Sequence, residues 1–118
     1  MDSKEISQIV VRAADSKRAN DIVVLDMQKV SLMADYFVIA DANSDRQVKA
    51  IAEEVIDQVE TSDINVYQVS GKDSGRWVLI DLGDVIVHIF QKEVRDFYNL
   101  EKLWSDAPMV NIDSWVEV

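Results

Sequence analysis

Apolar residues near the N-terminus recur at alternating steps of three and one: Ile6, Ile9, Val10, Ala13 and Ala14. That period places them on one face of a helix, and Asp2 with Glu5 forms a capping pair ahead of it. After the polar stretch Lys17 to Asp21 the pattern becomes an unbroken apolar run, Ile22-Val23-Val24-Leu25. Its β-branched content predicts a strand covered on both faces and placed near the centre of a sheet. A second run, Tyr36 to Ala40, follows a connector through Ser31 to Asp35. Ser44 and Gln47 then stand at capping-box spacing before Val48, Ile51, Ala52, Val55, Ile56 and Val59, which predicts a second helix. With a strand over Asn65 to Val69 behind it, the arrangement suggests a strand-helix-strand crossover and a partly parallel sheet.

Gly71 to Gly75 is turn chemistry. The runs Arg76 to Leu82 and Asp84 to Phe90, parted only by Gly83, read as a tight hairpin. Gln91 to Trp104 carries Val94, Phe97, Tyr98, Leu100, Leu103 and Trp104 in a pattern that fits one helix and a following turn or short helical piece. Beyond Pro108 no period is visible, so the domain is expected over residues 1–108, with 109–118 as a tail. The order of elements predicts one α/β (α+β) domain with a mixed sheet of about five strands flanked by helices.

At 118 residues and 48% hydrophobic content the chain has the size of a single domain. It has no cysteine, which excludes disulfides, thiolate metal sites and thiol redox chemistry. No apolar run has the length of a membrane span and the N-terminus lacks a signal-peptide core, so a soluble, cytoplasmic protein is expected. The formal charge of -10 repels phosphate backbones and argues against direct nucleic-acid binding. It serves solubility, and it would also speed encounter with a basic protein surface.

His88 is the single histidine, so a paired-histidine mechanism or a histidine metal cluster cannot be built within one chain. Strand alternation sets it with Ile86 and Phe90, opposite Val85, Val87 and Ile89, either as a core histidine or at a partly exposed interface. Asp81 and Asp84 flank Leu82-Gly83; they could hold a divalent cation, but turn formation is their ordinary role. No glycine-rich phosphate loop exists among Gly71, Gly75 and Gly83. Asn43-Ser44 could offer N–H groups to an anion, although capping explains the pair as well. Trp77, Tyr98 and Trp104 are aromatic residues of the kind that anchor interfaces or fill cores.

Taken together, five segments closely resemble the RsfS/Iojap family of ribosomal silencing factors. They are Lys17 to Asp26, Ala34 to Ile39, Ser44 to Val48, Trp77 to Phe90 and Arg95 to Trp104. The resemblance implies a nucleotidyltransferase-like mixed sheet, homodimerisation of the free protein, and binding to large-subunit ribosomal protein number fourteen on the joining face. Blocked subunit association would then lower translation when nutrients are short. It implies a contact group of Trp77, His88, Arg95, Tyr98, Leu100 and Trp104, with Asp81 and Asp84 supplying charge at its edge, and neither cofactor nor metal. One departure is visible, Ala42 where the family usually has glycine; if that position needs a positive φ, alanine costs about 1 kcal/mol. True nucleotidyltransferases carry a paired-acid metal motif that this chain lacks, since Asp57 is followed by Gln58-Val59 and Asp63 by Ile64-Asn65. An enzyme built on Ser44, Asp81 and Asp84 is therefore the alternative, and a homodimeric scaffold without a ribosomal role is another.

Overall fold

In the computed structural model, which describes residues 1–116, both expected helix caps are formed. The Asp2 carboxylate accepts the Glu5 N–H at 2.8 Å and starts α1 (Ser3–Ser16). The Ser44 hydroxyl accepts the Gln47 N–H at 3.1 Å and starts α2 (Asp45–Thr61). Each cap satisfies a backbone donor that the first helical turn leaves without a partner. The buried face of α1 is Val10, Val11, Ala13 and Ala14, while Ile6 and Ile9 are only partly covered. That of α2 is Val48, Ile51, Ala52, Val55 and Val59, as its period requires.

Between and after these helices run β1 (Asn20–Asp26), β2 (Tyr36–Ala42), β3 (Gln68–Ser70), β4 (Trp77–Asp81) and β5 (Val85–Gln91), joined in the order β1-β2-β5-β4-β3. β1 is thus an edge strand and not a central one. Its apolar run reflects two covered faces, with Val24 in the main core and Leu25 in a smaller one on the other side. A continuous apolar run reports on faces and is silent about edges. Its outer edge is closed by the chain beyond α-helical structure: Asp26 N–H donates to Pro108 O and Val110 N–H to Val24 O, each at 2.8 Å. The segment from Met109, expected as a tail, packs through Val110, Ile112 and Val116 on the main core, where Trp115 is buried.

The crossover is present, but its parallel ladder is not with the strand that follows α2. β2 pairs in parallel with β5, from Tyr36 opposite Val85 to Ala42 opposite Gln91. β3 is shorter than the predicted Asn65–Val69 and lies at the far edge against β4. Four residues of β5, His88 among them, are buried in unbroken succession, and such a strand takes the centre. The predicted hairpin holds: Leu82 N–H donates to Val85 O at 2.9 Å, and Asp81 Oδ1 accepts the Gly83 N–H at 2.8 Å. Gly83 has φ +88°, a conformation L side chains rarely adopt. Ala42 is fully buried, and its φ is not positive, so the departure from glycine brings no backbone strain.

α1 and α2 cover one face of the sheet, over Val38, Val78, Ile80, Val85, Val87 and Ile89. On the other face lie α3 (Lys92–Tyr98) and α4 (Leu100–Leu103), two short helices that shield Ile39, Phe90 and Leu25 through Val94 and Leu100, with Ala107 of the following segment beside them. The rest of that face is left open.

Candidate partner-binding surface

Alternation along the strands sends Phe37, Trp77, Leu79, Ile86 and His88 to this second face. The two short helices do not reach across it, so Phe37, Trp77, Leu79 and Ile86 are half-buried. Phe37, Leu79 and Ile86 form the floor of an open groove of about 690 Å³, walled by Met33, Ala34, Tyr67 and Trp104, with Asp81 as its charged member. Tyr67 is 66% and Met33 87% exposed beside it. A second groove, of about 540 Å³, lies on the α3 side between Arg76, Trp77, Glu93, Phe97 and Tyr98. Trp77 links the two. Its ring stands 4.9 Å from Tyr98 and its Nε1–H donates to His88 Nδ1 at 3.2 Å.

The residues singled out from the sequence therefore divide. Asp81, His88 and Trp104 line the first groove, and Trp77 and Tyr98 the second. Asp84 is exposed at the hairpin turn, where its carbonyl accepts N–H bonds from Asp35 at 2.7 Å and Tyr36 at 3.2 Å. Arg95 and Leu100 are buried beneath the surface and not on it. Arg95 Nη1 donates to Asp41 Oδ2 at 2.9 Å and to the Asp21 carbonyl at 2.7 Å, and Nε donates to Glu101 at 3.1 Å. It fastens α3 and α4 to the sheet, and so positions the surface without touching what lies on it. Phe37, Tyr67, Leu79 and Ile86 were absent from the expected set. Strand alternation marks them as one-faced, but only the strand order brings Phe37 of β2 and Leu79 of β4 to the two sides of β5.

Burial lowers the His88 pKa from the usual 6.5 to about 4, so the imidazole is neutral at physiological pH. The unfolded chain takes up this proton first as pH falls. The group's contribution to stability is thus level above about 6.5 and is lost progressively down to about 4, on the order of 3 kcal/mol in all. Urea midpoints taken at about pH 7 and about pH 4.5 should differ more for the unmodified protein than for His88→Gln. Equal differences would show that His88 contributes nothing to acid sensitivity.

A phosphoryl-transfer site does not assemble from Ser44, Asp81 and Asp84. Ser44 follows the end of β2 beside Gln91, whereas the hairpin acids sit by Val85 at the start of that strand. Six residue steps of extended chain run from Tyr36 to Ala42, roughly 20 Å. Among the described residues no three His, Cys, Asp or Glu side chains converge as a metal site.

Residues 1–118 match the family described as ribosomal silencing factor during starvation. The chain belongs to that family. It is 54% identical over 113 residues to the ribosomal silencing factor RsfS of Bacillus subtilis, covering 96% of each. A mouse relative named mitochondrial assembly of ribosomal large subunit protein 1 is 31% identical over 101 residues, or 82% of this chain and 44% of that protein. A crystal structure of a Chromobacterium violaceum protein superposes with a TM-score of 0.87 at 36% identity, covering 89% of this chain and 88% of the other. Ribosomal silencing factors are regulatory proteins, and the fold is shared with solved members.

Proposed function

We propose that this protein silences translation by occupancy: it docks through the open sheet face on ribosomal protein number fourteen of the large subunit and blocks joining of the small subunit. The observation that carries this reading is the half-covered apolar face itself, with Met33, Tyr67, Phe97 and Tyr98 standing exposed around it. An apolar patch of this kind with a polar rim is the anatomy of a docking site. The net charge of -10 favours a basic protein as occupant. The mouse relative's name supports the large subunit. No turnover is required, and the dispersal of Ser44 from Asp81 and Asp84 supports a non-catalytic action. In the absence of the ribosome the same apolar face is the one through which two copies would pair. Cytoplasmic residence fits a chain in which no described helix is long and apolar enough to cross a membrane.

The reading is tested by pelleting purified subunits through a sucrose cushion with this protein. It should travel with large subunits, and its association rate should fall as salt shortens the Debye length below the ~8 Å of physiological strength. Equal recovery with small and large subunits would overturn the proposal. Salt-independent binding would remove charge steering and leave the aromatic anchors as the cause.

A further inference from the structure

His88 holds a polar atom that the fold leaves without a partner. An indole nitrogen can only donate, so the bond from Trp77 Nε1 at 3.2 Å requires a bare, accepting Nδ1. A neutral imidazole with a bare Nδ1 carries its proton on Nε2. That Nε2–H is buried and, among the described residues, has no acceptor. Its surroundings on the open face are rings: Phe37 stands T-shaped at 4.9 Å and Phe90 stacks at 6.1 Å. A donor closed in by rings forfeits the hydrogen bond that water would give it, so natural folds seldom leave one there. Here the residue lines the groove, and the half-buried Phe37 ring beside it is the one that would have to turn aside for an acceptor to reach the nitrogen.

We infer that the Nε2–H of His88 is a specificity donor of the open face, hydrogen-bonding a backbone carbonyl oxygen of the basic protein that docks there. This rests on the docking reading above. The acceptor is a neutral carbonyl, because Asp81 lines the same groove and the whole chain carries a charge of -10, which disfavours a carboxylate on the incoming surface. The occupant accordingly brings apolar side chains for Phe37, Leu79 and Ile86 and one strand or loop carbonyl over His88. A surface with only apolar groups at that point would bury the donor for good and bind less well.

Because His88 is the single histidine, labelling the chain with ¹⁵N-histidine yields one imidazole spectrum. Long-range proton-nitrogen correlation of the free protein should show Nε2 protonated and Nδ1 bare. Titration with isolated ribosomal protein number fourteen should move the Nε2 proton downfield and slow its exchange with water. In parallel, His88→Asn keeps an acceptor within reach of Trp77 but removes the donor at the Nε2 position, and the folded variant should bind about tenfold more weakly. His88→Gln restores an N–H near the Nε2 position and should stay within about threefold of the unmodified chain. The inference is overturned by an Nδ1-protonated tautomer, by an unmoved Nε2 proton at saturation, or by undiminished affinity of a folded His88→Asn. Should that variant fail to fold, the two spectra of the unmodified chain still decide. If the unmodified chain does not bind at all, every variant fails alike, and the docking reading falls together with this one.

Discussion

Replacing Arg95 with alanine should destabilise the protein by about 3–5 kcal/mol, a large share of the 5–15 kcal/mol that holds a domain together. Asp41 is 2% exposed, and its Oδ2 takes the Arg95 guanidinium at 2.9 Å while Oδ1 has no partner among the described residues. Without Arg95 that carboxylate stays buried and unpaired. The Asp21 carbonyl and Glu101 lose their donors as well, and Glu101 lies on α4. Lysine is a poor replacement, because it lacks the planar fork that serves Asp41 and Glu101 at once. The double variant Asp41→Ala, Arg95→Ala should recover part of the loss, since it removes both buried charges. Urea unfolding of the three variants measures this. A loss below about 1 kcal/mol for Arg95→Ala would show that the network is not structural, and would return Arg95 to the contact surface.

The second large effect is on subunit joining. Added in excess before purified subunits are mixed, the protein should leave free subunits where untreated samples join, and the effect should be stoichiometric and reversible on dilution. The molecule is 33 × 32 × 31 Å, large enough to hold two ribosomal surfaces apart where it docks. Tyr98→Ala should then restore joining at concentrations that otherwise block it, through a loss of about 2 kcal/mol, or roughly 30-fold in affinity. Tyr98 is the better anchor to remove, being 54% exposed on the last residue of α3 and held upright by Trp77 at 4.9 Å and Phe97 at 5.1 Å. Its removal should change stability little. Trp104 is half-buried against Phe37 at 6.0 Å, so its truncation would mix folding with binding. Unchanged joining with the protein bound at saturation would sink the steric mechanism even with the partner correct. Joining still blocked by Tyr98→Ala at the same concentrations would remove Tyr98 from the anchors.

What the sequence by itself determined is what neighbours along the chain settle among themselves. The caps at Asp2 and Ser44, the buried stripe of α2 and the hairpin turn at Gly83 follow from contacts spanning two to four residues. The family was legible too, because its blocks occur in order across nearly the whole chain. Tertiary structure decided the rest, because strand order and pairing across long stretches of chain leave no periodic trace. β1 reads as central but is an edge, closed by the segment Pro108 to Val110, which has no period because it serves as a seam and not as a regular element. Arg95 reads as a surface cation beside aromatic residues; only the fold brings Asp41 and Asp21, more than fifty residues earlier, within its reach. The candidate surface follows the same rule. Phe37, Leu79 and Ile86 lie on three strands, and they become one floor because β5 enters between β2 and β4 while α3 and α4 are too short to cover it.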